Sequence, residues 1–369
     1  MKQLSTIDIH YLENELKALE TSRVDKIYVH GKEELYLQVH KSGIGRLLLK
    51  VLLGKALFLV SSKESTEVPS EFCMLLRKHL EGLTIVSLEQ LKPERIIKME
   101  LVGKGTTKTL YLEFYGKGNI VLCEKDIILD AFSRQRFRDR AIIPKHMYSI
   151  NRMKNNIFSL AAAEFHSILC SSQKNTLVTA IALDIGIGGK YAEELCILAK
   201  QDKAQKPTSL SEKSSDELFE SLQGMMKMPL HPKVWYEDDI AFDATPFGFI
   251  SYTDKKCRRY DTFSQALEEY YRHQHSARKP NAYDLQIQEL RRIIHEQEER
   301  IQFLAIQEQD FRSYGEMIYL HYTKLQGLLL ELKEQSKKES LQSLAEAMKE
   351  RNIIINPKNK TFSVTIENP

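Results

Sequence analysis

Hydrophobic and polar positions follow three different periods along this chain, and each change of period marks a part. Ile7, Tyr11, Leu12, Leu16 and Leu19 repeat at helical spacing behind Ser5-Thr6 and Asp8, which predicts a capped helix. Runs rich in β-branched, aromatic and leucine residues follow at 24–29, 34–39, 46–52 and 56–61. Gly31-Lys32, Ser42-Gly43 and Gly54 punctuate them as turns, so the first 60 residues read as a helix and an antiparallel meander. Pro69 opens a second helix with Phe72, Leu75, Leu76, His79 and Leu80 on one face, Arg77 and Lys78 beside it, and Gly82 at its end. After the dipeptide Glu94-Arg95 come strands at 96–102, 109–115, 119–123 and 127–132. They turn at Gly116-Lys117-Gly118 and Glu124-Lys125-Asp126.

From 156 to 200 the period becomes helical again. Two apolar helices flank Ile185-Gly186-Ile187-Gly188-Gly189, with Ala192 at the spacing of a helix-hairpin-helix motif. Gly186 and Gly188 permit a tight reversal, and N–H groups at the second helix's start, with Lys190, form a candidate phosphate contact. A plain αα-hairpin packed on its neighbours fits the same pattern. A polar linker at 201–215 leads to a short helix at 217–226 and a second β region at 233–236, 240–243, 247–252 and 257–260. Trp235 is expected as its core anchor. A helix at 263–271 and a break containing Pro280 close that region. From Leu285 the period is seven: Ile287, Ile294 and Ile301 share one heptad position. Leu290, Leu304, Phe311, Ile318, Leu325 and Leu332 share the other, with Gln297 its polar lapse. Roughly 50 residues at ~1.5 Å rise predict a helix on the order of 75 Å long. A seam that long needs a second helix, from a partner chain or from a returning segment. A short helix at 342–349 and a small hairpin, 353–355 with 362–366 around Asn356-Pro357-Lys358-Asn359, end the chain.

Composition narrows the classes. At 369 residues the chain exceeds one ordinary core, and 28% charged residues suit a soluble surface. The formal net charge of +3 is too mild to mark a nucleic-acid binder by itself, so local charge decides. Five dispersed cysteines, with no C-x-x-C pair, fit free thiols in a reducing compartment. Without an H-E-x-x-H motif or a cysteine set, no metal and no cofactor are expected. The start carries acids and no apolar run, and the segment 47–60 contains Lys50 and Lys55. The sequence therefore reads as cytoplasmic, with neither a signal peptide nor a membrane span.

The strongest local charge lies at the end of the stretch 72–140. Residues 133–154 hold seven Lys or Arg against one acid, Asp139. Arg134, Arg136, Arg138 and Arg140 alternate, so an extended backbone would put all four guanidiniums on one side. A solvated basic loop and a phosphate-contacting edge both fit this run.

The parts, taken in order, resemble the NFACT family. The resemblance rests on LSTIDIHYLENELKA, FCMLLRKHLEG, PERIIKMEL, YLEFYGKGNIVLCEKDIILDAF, DIGIGGKYAEELC, FSQALEEYYR and the heptad helix with GEMIY. It covers essentially the whole chain. These are NEMF/RqcH-like ribosome-associated quality-control factors, also known as fibronectin-binding A proteins, and RKHL with YGKGNI is closer to the archaeal and eukaryotic branch. The resemblance implies an α+β multidomain protein. Its parts are an N-terminal α/β lobe over 1–154, similar to DNA glycosylases with antiparallel sheets, and a helix-hairpin-helix domain over 155–205. A second β lobe over 206–280, a coiled-coil arm over 281–340 and the start of a small tip over 341–369 follow.

The resemblance also implies binding to tRNA and to a large ribosomal subunit holding peptidyl-tRNA. Charged tRNA, typically alanyl-tRNA, would then extend the stalled chain without mRNA. Glu94-Arg95 falls where the family has an Asp-Arg dipeptide that handles tRNA; the arginine is kept and the carboxylate is one methylene longer. Arg77, Lys78 and the arginines from Arg134 to Arg140 are candidate phosphate contacts beside it. The family's C-terminal RNA-binding domain and returning arm helix have no counterpart here, so the chain reads as the front of a longer protein, and self-association through the arm is the other way to cover the seam. Two other classes were weighed. A glycosylase would need an N-terminal proline amine where this chain has Met1-Lys2-Gln3-Leu4. A surface adhesin would need a secretion signal. The expectation is a non-enzymatic binding protein.

Overall fold

A computed structural model describes residues 2–30, 33–63, 69–137, 140–150, 153–277, 282–351, 353–356, 359 and 361–365, leaving aside the side chains of 275–277, 282–288 and 350. Gly31-Lys32, Arg138, Pro280 and Pro357-Lys358, each singled out above, lie outside these residues. The chain divides into two compact units, 1–278 and 279–369.

Helix α1 (Thr6–Leu16) starts where the sequence predicts. Ser5 Oγ accepts the Asp8 N–H at 3.1 Å and Asp8 Oδ2 accepts the Ser5 N–H at 2.8 Å, a capping box of the kind that contributes about 1 kcal/mol. Strands β1 (Arg23–His30), β2 (Glu34–Lys41), β3 (Gly45–Leu52) and β4 (Ala56–Leu59) form the expected meander. Helix α2 (Glu71–Leu80) buries Cys73, Leu76 and Leu80, with Ser70 as its N-cap. The next strand, β5 (Thr84–Gln90), has no counterpart in the sequence reading. Strands β6 (Ile96–Gly103), β7 (Thr106–Glu113), β8 (Asn119–Glu124) and β9 (Ile127–Ala131) follow it.

All nine strands form one antiparallel sheet in the order β4-β3-β2-β1-β5-β6-β7-β8-β9. β1 and β5 are joined near a single register pair, Arg23 opposite Thr84, flanked by Val24 N–H to Leu83 O and Ile85 N–H to Ser22 O. Thus β5 welds two local meanders into one sheet. Lys125 and Asp126 both adopt positive φ, which matches the right-handed twist of the two strands that they connect.

The alternating arginines do not lie on one extended strand. The chain reverses between β10 (Gln135–Arg136) and β11 (Ala141–Ile142), which pair with each other, so Arg134 and Arg140 fall on opposite arms of a hairpin. Helices α3 (Ala162–Cys170), α4 (Leu177–Ala180) and α5 (Gly189–Leu198) follow, with a π-turn over Ile181–Ile185 between the last two. α6 (Glu212–Met226) precedes a three-stranded sheet of β12 (Lys233–Glu237), β13 (Ile240–Thr245) and β14 (Lys256–Arg259), in the order β13-β12-β14. Trp235 is buried and its indole N–H donates to Thr245 Oγ1 at 2.8 Å, as expected of a core anchor. The strand expected at 247–252 is absent. Phe247 and Phe249 instead plug the core against Tyr11 and Tyr191, with ring centroids at 5.3–5.4 Å for two of these contacts. α7 (Phe263–Ala277) closes the unit, its Tyr271 stacked on Phe58 of β4 at 5.5 Å. One continuous hydrophobic core runs from Leu4 to Tyr271, through the segments read as 1–154, 155–205 and 206–280.

In the second unit, α8 (Ala282–Leu320) and α9 (Tyr322–Gln335) replace the single long helix expected, because His321 leaves helical geometry at φ −101°, ψ 10°. The heptad residues Leu290, Ile294, Ile301, Leu304, Phe311 and Ile318 are exposed. Leu332 is buried with Leu344 and Met348 of α10 (Leu341–Met348) and Ile353 of a hairpin, β15 (Ile353–Asn356) with β16 (Thr361–Val364). No helix among the described residues is long and apolar enough to cross a membrane.

Candidate nucleic-acid interface

The turn between β5 and β6 carries Glu94-Arg95, and α1 holds it in place. Thr6 Oγ1 donates to Pro93 O at 2.6 Å, while Gln90 Nε2 donates to Thr6 Oγ1 at 2.8 Å and to Glu94 O at 3.0 Å. Glu94 is buried, and its Oε1 accepts the backbone N–H of Met153. The longer carboxylate thus reaches across to the segment that leads into α3. Met153 Cε in turn fills the space beside Gly186, where a Cβ would overlap it. Glu94 therefore ties the β5–β6 turn to the segment packed on the helical hairpin.

Arg95 faces a cleft of about 770 Å3 together with Glu94, Glu113, Tyr115, Lys117, Arg136, Phe137, Arg140 and Met153. That volume lies within the ~300–1,000 Å3 of ordinary ligand pockets. The Arg95 guanidinium is half-buried and makes no hydrogen bond or ion pair among the described residues. Burial pushes its proton affinity below the usual arginine range, against the pull of Glu94. Lys117 and Arg136 are exposed at the rim, and so is Phe137, at 57%. The cleft wall at Gly116–Gly118 is held by a backbone-to-backbone contact. Gly118, at φ +73°, lies so close to Gly54 that a Cβ there would overlap the Gly54 backbone.

Below the opening lies a closed polar cluster. Arg140 Nη2 pairs with Glu113 Oε1 and Nη1 donates to Tyr115 Oη, while its guanidinium sits 5.1 Å from the centre of the Tyr148 ring. Tyr148 Oη donates to Glu113 Oε1 at 2.8 Å, and its ring stacks on Tyr111 at 3.8 Å. Burial opposes charge on Arg140, but the Glu113 contact outweighs it and raises the proton affinity. Burial and then Glu113 push the Tyr115 hydroxyl up to about 12.

The structure thus sorts the predicted residues. Glu94, Arg95, Arg136 and Arg140 line one cleft, but Arg140 is 6% exposed and committed to Glu113, so it belongs to the floor rather than to a phosphate-facing surface. Arg134 lies outside the cleft and forks onto Asp130, with both contacts at 2.9 Å. Arg77 lies outside it as well; its Nε donates to Ile27 O at 2.7 Å and its guanidinium covers the Tyr28 ring. Lys78 is exposed on α2, away from the cleft lining. At the hairpin, Gly186 and Gly188 adopt positive φ as expected, but their N–H groups donate to Ile181 O and Ala182 O, both at 3.2 Å, so neither is offered to a phosphate. Lys190 pairs with buried Asp243 at 2.7 Å, and that carboxylate also holds Lys2 at 3.4 Å. Reasoning from sequence missed Glu113, Tyr115, Lys117, Phe137, Met153 and Gln90. Of these, only the Gly-Lys-Gly turn around Lys117 carried a visible signal.

The fold is an α+β unit whose cleft carries Arg95, Lys117 and Arg136 beside the exposed ring of Phe137. The model of the NFACT N-terminal and middle domains matches residues 5–367, and the chain belongs to that family. It is 26% identical over 355 residues to the archaeal Rqc2 homolog aRqcH of Methanocaldococcus jannaschii, covering 91% of this chain and 53% of that protein. To the human ribosome quality control complex subunit NEMF it is 22% identical over 302 residues, covering 73% of this chain and 28% of that protein. The chain therefore spans about half the length of the archaeal relative. Among solved structures, the N-terminal part of the fibronectin/fibrinogen-binding protein from Streptococcus suis shares the fold, with a TM-score of 0.60 at 22% identity over 73% of this chain and 99% of that one. The fibrinogen-binding protein from Staphylococcus aureus gives 0.61 at 19% identity over 72% and 98%.

Proposed function

We propose that this protein is a non-enzymatic, cytoplasmic binding factor of ribosome-associated quality control that holds tRNA through the Arg95 cleft and acts on the large ribosomal subunit with peptidyl-tRNA. The human relative, named as a subunit of the ribosome quality control complex, supports the pathway. The observation that carries the site is Arg95: a half-buried guanidinium, unpaired among the described residues, in a cleft rimmed by Lys117, Arg136 and Phe137. A guanidinium held out of bulk water gains strongly from a phosphate or a base acceptor, and an exposed aromatic offers a stacking face to an unpaired loop base. The substrate this reading favours is charged tRNA, alanyl-tRNA in particular, used to extend the stalled chain without mRNA. Glu94, already holding Met153, acts in this reading by fixing the turn that presents Arg95.

The test is tRNA affinity measured across a salt series. Arg95→Ala should weaken tRNA binding at least 10-fold, and Arg136→Ala should lower the salt slope by about one unit, with both variants melting like wild type. Unaltered affinity in both variants would sink the reading.

A further inference from the structure

We infer that Met153 is an oxidation site that switches the Arg95 cleft off: hydrogen peroxide converts its thioether to a sulfoxide, and the new oxygen takes the donors that Arg95 otherwise offers to an anionic ligand. The effect on RNA rests on the Arg95 reading of the cleft; the chemistry at sulfur does not. Met153 is 37% exposed and lines the cleft with Glu94 and Arg95, so a small oxidant reaches it from solvent. Its place there is fixed at both ends. The backbone N–H donates to buried Glu94, the neighbour of Arg95, and the terminal Cε fills the space where a Gly186 Cβ would stand. The sulfur is one bond back from that packed methyl. Across the same cleft the Arg95 guanidinium is half-buried and makes no hydrogen bond or ion pair among the described residues. The other cations are placed differently: Arg140 is committed to Glu113, while Lys117 and Arg136 stand exposed at the rim.

A thioether sulfur is a weak acceptor, whereas a sulfoxide oxygen is strongly polar and accepts from a guanidinium. In the oxidation a sulfur lone pair attacks one peroxide oxygen and the O–O bond breaks. That oxygen stays on sulfur, and the departing hydroxide takes its proton and leaves as water. Sulfur loses two electrons and the peroxide gains them. A flexible apolar side chain becomes a polar, chiral one, and methionine sulfoxide reductases reverse the change. Met74 and Met147 are more exposed than Met153, but neither lines the cleft, so their oxidation leaves Arg95 without a new acceptor. No cysteine lines it either among the described residues, which makes the Met153 thioether its redox-active group.

The experiment treats wild type, Met153→Leu and Met74→Leu/Met147→Leu with hydrogen peroxide and quantifies each remaining methionine by peptide mass. Affinity for bulk tRNA is scored as the ratio of Kd after treatment to Kd before, so each protein serves as its own reference. Wild type and Met74→Leu/Met147→Leu should lose about 10-fold or more, the worth of one hydrogen bond to a charged group, while Met153→Leu should stay within about 2-fold. An equal loss in Met153→Leu would overturn the inference. So would an unchanged ratio in wild type whose Met153 is oxidised, or a Met153 that peroxide leaves as the thioether. A second readout needs no RNA. In protein labelled at the methionine ε-methyl carbon, the Met153 sulfoxide resonance should differ between oxidised wild type and oxidised Arg95→Ala. Coincident resonances would remove the contact between the sulfoxide and the guanidinium, and the inference with it. Untreated wild type that fails to bind tRNA would overturn the proposed function alone, and the methyl resonance then decides the inference.

Discussion

Removing Glu113 should unfold the cleft floor rather than merely weaken binding. The Glu113 and Arg140 side chains are only 3% and 4% exposed, and Glu113 also accepts the Tyr148 hydroxyl. Breaking a buried ion pair by deleting one partner strands the other charge in a poor solvent and costs roughly 3–5 kcal/mol. In a unit of this size each kcal/mol lowers Tm by about 2–4 °C, so Glu113→Ala should lower it on the order of 10 °C. Arg140→Ala should do nearly the same. Replacing both with leucine should recover most of the loss, because desolvation of the pair offsets much of its attraction. The assay is a double-mutant cycle from urea midpoints at constant m, supported by thermal melts. An Arg140→Ala variant that melts like wild type but loses about one unit of RNA salt slope would refute the argument, since that is how a phosphate ligand behaves.

Asp243 stands at a second buried junction, holding Lys2 at 3.4 Å and Lys190 at 2.7 Å and accepting the Tyr252 hydroxyl at 3.2 Å. Asp243→Ala should destabilise the protein by about 3–5 kcal/mol, read from urea midpoints. Burial alone would raise the Asp243 carboxyl, but Lys2 and Lys190 outweigh it and hold the value below the ordinary one. Its stabilising contribution is therefore fully present above the unfolded value near ~3.9 and is lost as pH falls through the lower folded value, so Asp243→Asn should flatten that acid limb. Gly118→Ala combines a positive φ with overlap on the Gly54 backbone, and should cost about 2–3 kcal/mol and weaken RNA binding. Gly116→Ala, at φ +58° with open space around it, should cost only about 1 kcal/mol; equal losses at the two positions would remove the contact from the account.

Local pattern determined a great deal by itself. The capping box at Ser5 and Asp8, the meander from β1 to β4 and the positive-φ turn at Lys125-Asp126 all stand where periodicity and turn chemistry put them, whereas α2 buries Leu76 and Leu80 of its expected face with Cys73 and leaves Phe72, Leu75 and His79 half-buried. Each depends on neighbours within a few residues, so the physics that selects it is present in the linear chain. Glu94-Arg95 was legible too, through its resemblance to a family dipeptide, and the basic run at 133–154 through its charge. The tertiary structure decided what those charges do. β5 joined two meanders across Arg23 and Thr84, a contact between residues about 60 apart that no local period encodes. A reversal after Arg136 sent Arg140 into the floor to meet Glu113, a buried residue whose alternating strand pattern gave no hint of an ionic partner. Gly188 and Lys190, legible as a phosphate turn, were taken up by Ala182 and Asp243. Which cation is left without a partner depends on where every carboxylate ends up, and that is a property of the folded chain. Here, among the described residues, it left the Arg95 guanidinium in the cleft without a hydrogen bond or ion pair.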